Sequence, residues 1–302
     1  VLESRRLLDA GGLFFVDQDA TGAGDGSSWS DAYPDLQSAL SAAAATPGPD
    51  HIRIAEGVYR PTDTTDRSIS FDLPDGVSLF GGYAGDPNAP DLRDVDAFHT
   101  ALSGDIGIAD DVSDNSFHVV NVARANVSLD GLTIRGGNAN GGFPSDARGG
   151  GLNVLSGTVN LTNSSVVENS ASFVGGGLFA IGGSVVNIAD TIFAQNQATA
   201  IGGGLTIDRS ELNLEGVVVD NNQADSGGGL FVFQSTTTIV DSSFTENLTN
   251  GNGGAIRAQG GSLVMDGSSV ADNTAGTVGG GVWSLQGATV EIGADQSLGA
   301  LR

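Results

Sequence analysis

The 302-residue chain carries 47 Gly and no Cys or Lys; its 12 basic residues are all Arg, against 36 acidic ones, for a formal charge of −24. Without Cys it has neither a disulfide scaffold nor thiolate metal sites. Its acidity argues against nucleic acid and anionic membrane surfaces as partners, and no apolar run approaches membrane-span length.

The chain begins at Val1 with no signal peptide and reads as a mature fragment or an excised domain. Residues 1–12 read as a flexible tail. Within it, Leu2-Glu3-Ser4-Arg5-Arg6-Leu7-Leu8 resembles a Leu-Glu-x-Arg-x-Leu-Leu motif found near the N-terminus of large secreted bacterial surface proteins. Residues 13–50 hold a first strand, Leu13-Phe14-Phe15-Val16, and a capping helix. Between them lies an Asp/Gly-rich loop with Asp17, Asp19 and Asp25. Its Asp-x-Asp start is not completed by a Glu twelve residues along, where Ser28 stands, so it reads as a solvated turn. The helix is announced by Pro34, good helix formers from Leu36 through an alanine tract, and a stop at Thr46-Pro47-Gly48. One helix ahead of a solenoid is a cap over its open apolar end.

Residues 51–148 read as irregular coils, with inward positions such as Ile52, Ile54, Leu79, Leu102, Val127 and Leu129, and with loops from Tyr59 to Arg67 and from Gly81 to Phe98. Asp110, Asp111, Asp114 and Asn115 form a further acidic turn. At most weak calcium binding is expected, at Asp17–Asp25 or Asp110–Asp114, with no cofactor and no metal needed for folding. The segment Gly141 to Arg148 lengthens the stretch from Asn138 to Gly149 to 11 residues, against 5 or 6 in later coils, and is a candidate functional loop.

Residues 149–292 are one sentence repeated. A glycine tag recurs at Gly149, Gly175, Gly202, Gly227, Gly253 and Gly279, in steps of 26, 27, 25, 26 and 26. In phase with it run Asn169, Asn196, Asn222, Asn247 and Asn273. Apolar residues stand 10, 8 and 3 positions before nearly every Asn, as Val186, Ile188 and Phe193 do before Asn196. Spacing by two is strand spacing, Gly, Ser, Asn and Asp punctuate the runs, and a fixed period of this size means a solenoid. Three short strands per coil are expected, and the fold class is all-β: a right-handed parallel β-helix, a pectate-lyase-like solenoid. The Asn residues are expected inside, bonded from coil to coil, and the glycines at turns of positive φ. Residues 293–302 read as an incomplete cap or a truncated end.

Ala55-Glu56-Gly57-Val58-Tyr59, Gly76-Val77-Ser78-Leu79-Phe80-Gly81-Gly82-Tyr83, Leu102-Ser103-Gly104-Asp105-Ile106-Gly107 and Asp114-Asn115-Ser116-Phe117-His118-Val119-Val120 resemble a recurrent family of secreted bacterial right-handed parallel β-helix proteins. Phe193-x-x-Asn196, Phe244-x-x-Asn247 and Gly253-Gly254-Ala255-Ile256 resemble the repeat of the polymorphic membrane protein family, outer-membrane autotransporter adhesins. Three copies depart from that repeat with Val166, Val219 and Val270 in place of Phe, and that family's membrane barrel has no counterpart in this sequence. The resemblances imply a secreted or cell-surface location and an adhesin-like role.

Two functions follow. The first is an extracellular module, expected as a monomer, for structural display or for binding a polysaccharide or a surface protein. The second is a carbohydrate-active enzyme, a polysaccharide lyase or glycoside hydrolase, as other β-helices are. Paired carboxylates would serve the latter, and Asp190, Glu215, Asp241 and Asp266 recur at about one period, with Arg209 near them. They stand beside a turn, where Asp bonds backbone amides. His51, His99 and His118 lack metal spacing, and no Gly-x-Ser-x-Gly occurs. No catalytic residue is assigned, and the first function is preferred. Its candidate surface is the outward face of the strand after each glycine tag. Alternation places Phe179, Phe231, Arg257 and Trp283 in one outward column and Phe233 in the next, with Ile181 and Leu285. Exposed aromatic rows of this kind suit sugar rings or a flat protein partner.

Overall fold

The computed structural model describes residues 11–46, 48–142 and 144–293; the Leu2–Leu8 motif and residues 294–302 lie outside them. The chain winds into a parallel β-helix of about nine turns. Among the described residues the strand ladders are parallel, as Leu152↔Leu178↔Leu205↔Leu230↔Ile256↔Val282 illustrates, with a single antiparallel bridge, Tyr83↔Arg93, at the loop. The main core is one continuous cluster from Val16 to Val270, and Phe15, Trp29, Ala32, Ala55 and Tyr83 form a second, smaller one.

A regular coil has four strands rather than the three expected: Leu152–Leu155, Thr158–Thr162, Ser165–Val167 and Ser170–Ala171. The fourth, just past the Asn, escapes sequence reading because two residues carry no periodicity. Its inward residue is small, Ala171, Ala198 or Ala224, each nearly fully buried.

Three corners in each coil obey one rule. A residue in the left-handed region turns the chain, and the next residue points inward. At the first corner the pairs are Gly183-Ser184, Arg209-Ser210 and Gln234-Ser235, and the second corner has Asn163-Ser164, Asp190-Thr191 and Asp241-Ser242. The third has Glu168-Asn169, Gln195-Asn196, Asn221-Asn222 and Glu246-Asn247. A corner amide has left the strand ladder and needs another acceptor. Where the next coil's inward residue is Ser, Thr or Asn, its side chain supplies it; Val217 and Gly261 interrupt the two hydroxyl columns. Thus Ser184 N donates to Ser210 Oγ at 3.1 Å, Ser164 N to Thr191 Oγ1 at 3.3 Å, and Asn196 N to Asn222 Oδ1 at 3.0 Å. The Asn column is as expected, with Asn169, Asn196 and Asn247 fully buried. The two hydroxyl columns repeat its logic with shorter side chains. The glycine tags also turn at positive φ, from 61° at Gly149 to 71° at Gly279.

The helix, Leu36–Ala45, starts after Pro34, with Asp35 as its N-cap. Asp35 Oδ1 accepts from Ser38 N at 2.8 Å. Leu36, Ala39, Leu40 and Ala43 join the core against Val16 and Ile52, so the helix closes the apolar end of the first coil. The second loop begins later than expected, because the strand Ser78–Tyr83 runs through Gly81. That loop is pinned back on the coil: Trp29 Nε1 donates to Pro90 O at 2.9 Å, and Arg93 bonds Gly81 O and the Asp130 carboxylate.

Candidate functional site: an aromatic groove roofed by arginine

The outward column after the glycine tag reads Asn121, Asn153, Phe179, Thr206, Phe231, Arg257 and Trp283 in unbroken register. The next column runs Leu155, Ile181, Asp208, Phe233, Gln259 and Leu285. Both are as expected from alternation, and the inward neighbours Leu178, Ala180 and Leu230 lie in the core. Phe179 and Phe231, however, are not exposed. They retain 3% and 5% of their surface, whereas Phe233, Arg257 and Trp283 are half-buried.

Two things cover the rings. The segment leading into each glycine tag folds back beside the strand that leaves it, and its bridges Arg148↔Val174↔Ile201↔Ser226 make a shallow wall. Side chains tie wall to strand: Thr206 Oγ1 donates to Ile201 O at 3.1 Å and Arg257 Nη1 to Ser226 Oγ at 2.8 Å. Arginine supplies the rest. The Arg148 guanidinium carbon lies 5.3 Å from the Phe179 ring centroid and 5.8 Å from that of Phe173. That of Arg257 lies 5.2 Å from Phe231 and 5.0 Å from Trp283. These are cation–π distances. Sequence spacing places residues on a column; it does not reveal that Arg148, the last residue of the 141–148 insertion, reaches across to Phe179. The insertion contains a 3-10 turn, Pro144–Ala147, and Ala147 O accepts from Phe173 N at 3.0 Å. The candidate loop and the aromatic row are thus one site.

Wall and strand enclose a groove of about 430 Å³ lined by Arg148, Phe173, Phe179, Ile181, Phe231 and Phe233, among others. Phe173 is 48% exposed. Asp208 lies in the groove, and its Oδ1 is 3.2 Å from Arg209 Nε without the alignment of a hydrogen bond. Arg257 also donates to Gln259 Oε1 at 3.3 Å. Burial alone shifts its guanidinium downward, and no carboxylate offsets that shift.

The other candidates disperse. Asp190 and Asp241 are corner residues with φ of 47° and 48°, but Glu215 pairs with Ala189 and Val240, and Asp266 also pairs with Val240, one position off. The carboxylates therefore alternate in register with Gly216 and Gly267 instead of forming one column. A Cβ on Gly216 would stand 2.9 Å from Asp190 Oδ1. Arg209 belongs to a different corner. Asp17 and Asp25 accept from the amides two residues on, at 2.9 and 3.0 Å, and Asp111 does the same with Ser113 at 2.9 Å. Asp114 Oδ2 accepts from Ile108 N at 2.8 Å. These carboxylates brace their own turns, and among the described residues no three His, Cys, Asp or Glu converge as a metal set. His51 stacks on Phe80, His99 is exposed, and His118 Nδ1 lies 3.0 Å from Gly149 O, its imidazole pushed down by burial. A second cavity, about 310 Å³, is lined by Asp105, Asp110, Arg135 and Glu168; it shares no residue with the aromatic groove. No family model, curated protein or solved structure matches the chain.

Proposed function

We propose that this β-helix is a binding module of the cell exterior and that the groove beside the glycine tags holds an extended glycan. One observation carries the reading: aromatic and aliphatic side chains from successive coils line a continuous groove that runs along the solenoid axis. Coils repeat about every 4.8 Å, so equivalent positions two coils apart, such as Ile181 and Phe233, are about 10 Å apart. A polymer lying along the axis meets the same kind of contact at regular intervals, and many weak contacts then add along one chain. The Phe-x-x-Asn and Gly-Gly-Ala-Ile repeats, with their likeness to surface adhesins, support an exterior location and an adhesin-like role. The acidic, cysteine-free composition is compatible with both. Binding needs no reacting group, which agrees with carboxylates committed to turns and corners.

The test is polysaccharide binding by wild type and a Phe233→Ala, Trp283→Ala double variant, with a reducing-sugar assay alongside. The expected outcome is binding that falls about tenfold or more in the variant, since two aromatic contacts are lost, with no sugar released by either protein. Sugar release by the wild type refutes the module reading and establishes an enzyme.

A further inference from the structure

The groove differs from a sugar-stacking platform in one respect. The two aromatic rings at its floor are already stacked, by arginines of the same chain. What the floor offers a ligand is therefore guanidinium, not ring face. Resting on the glycan reading above, we infer that the groove selects acidic polysaccharide, binding carboxylate or sulfate groups through Arg148 and Arg257.

Charge and burial together distinguish these two residues; among the described residues Arg124 and Arg135 also lack a carboxylate partner but are exposed to water. Acids outnumber arginines 36 to 12 in this chain, so carboxylate partners are plentiful. Arg53, Arg60, Arg93 and Arg209 each have one. Arg67 has none but is satisfied as a clamp by Asn115 O, Asn138 O and Asn140 Oδ1. Arg148 makes neither ion pair nor guanidinium hydrogen bond among the described residues, and its buried Nε has no partner. Arg257 has only the neutral acceptors Ser226 and Gln259, and its buried Nε is likewise unmatched. A guanidinium carries five donors in a planar fork, and leaving buried donors unmatched costs stability. Aromatic stacking holds each fork flat and in place, so little ordering entropy remains to be lost when an anion binds. Bidentate capture of a carboxylate or sulfate is what such a fork does best.

The net charge of −24 opposes a polyanion at long range. Salt limits that opposition to about 8 Å at physiological ionic strength. At the groove the balance is reversed: Arg148 and Arg209 line it against Asp208 alone, and Arg257 adds a further positive charge at its edge, over the Phe231 ring. The arginines come from coils four apart, one before Phe179 and one after Phe231, about 19 Å along the axis, and lean inward onto those two rings. That suits a polymer with anionic groups at intervals better than a lone small anion.

The experiment compares matched pairs on wild type: polygalacturonate against its methyl ester, and dextran sulfate against dextran. The expected result is binding of one or both acidic members, weakened by about 0.5 M NaCl, with little binding of the neutral partners. Arg148→Gln and Arg257→Gln should each weaken acidic binding by about tenfold. Arg148→Lys and Arg257→Lys keep the charge and most of the packing, and should fall between; they also replace any Gln variant that fails to fold. The two acidic arms separate carboxylate from sulfate recognition. Equal binding of a neutral partner overturns the charge inference and leaves the glycan reading intact. Failure of all four polymers to bind overturns both. Acidic binding that survives the arginine variants unchanged places the anion elsewhere and overturns this site.

Discussion

Replacing Asn196 by Ala tests the corner rule where its consequences are best defined. The Asn196 side chain takes part in four hydrogen bonds. Its Oδ1 accepts from Asn169 N and Asn169 Nδ2, both at 3.1 Å. Its Nδ2 donates to Val166 O at 2.8 Å and to Asn222 Oδ1 at 3.0 Å. Truncation does not orphan every partner. Asn169 Nδ2 keeps Ile134 O and Val167 O, and Asn222 Oδ1 keeps the Asn196 amide. The Asn169 amide loses its acceptor, and Val166 O loses a side-chain donor. Both groups lie in a part of the core where Asn196 is 0% exposed. One fully and one partly unsatisfied buried group, with the void left by the carboxamide, give a loss of about 2–4 kcal/mol. The control is Asn187→Ala. Asn187 belongs to an outer amide column, donating to Asn160 Oδ1 and accepting from Asn213 Nδ2, both at 2.9 Å. It is only half-buried, so water replaces the lost partners and the cost should stay below about 1 kcal/mol. Denaturant unfolding followed by circular dichroism reads the difference. Because solenoids can unfold by segments, hydrogen exchange at the Asn169 amide gives a local readout, and its protection should drop in Asn196→Ala alone. Equal destabilisation by the two variants, or an unchanged Asn169 amide, would refute the inner-column reasoning.

Glycine position matters for two separable reasons. In Gly176→Ala the new Cβ would meet Gln197 O at 2.4 Å and Gly203 O at 2.6 Å, so thermal unfolding should show severe loss of stability or no folded protein. Gly183→Ala, at φ 77° with nothing within 4 Å, should cost only the left-handed penalty of about 1–2 kcal/mol. Acid should release the 84–99 loop: burial works against the Asp130 carboxylate, but hydrogen bonds from Thr162, Arg93 and Asn163 outweigh it and hold its pKa below the usual value. A group depressed in the folded state stabilises above its unfolded pKa, near 3.9, and loses that contribution as pH falls through the folded value. The melting temperatures of wild type and Asp130→Asn should therefore differ at pH 7 and converge below about pH 4.

The period, the inward Asn column and the outward registers were legible because each coil writes the same constraint at the same phase. Phe179 and Phe231 were placed on the correct column for that reason. Their burial was not legible, since it depends on Arg148, outside the strand pattern, and on Arg257 lying one rung from Phe231. Sequence distance carries no trace of either stacking. Ser184, Ser210 and Ser235 were missed as inner ligands of corner amides because serine at a turn is ordinary, whereas a repeated buried Asn is not. The apparent carboxylate series failed on a one-residue offset, which separates Asp190 from Glu215 in a ladder although their spacing is nearly periodic.

The three inner columns also give the molecule a unit of length. Every regular coil repeats the Asn acceptor and amide of the third corner, and most repeat the hydroxyl acceptors of the other two, Val217 and Gly261 being the exceptions, so along the Asn column one copy presents what the next presents. Excising residues 175–201 would join Val174 to Gly202 and set the Asn169 amide against Asn222 Oδ1, restoring the bond Asn196 had supplied. The same excision sets the Ser164 amide against Val217, which has no oxygen to offer in place of Thr191 Oγ1; removing part of a turn would put the Asn column itself out of phase. Recombination between copies in the gene can therefore lengthen or shorten this protein only in whole turns, and the reach of its groove is quantised with it.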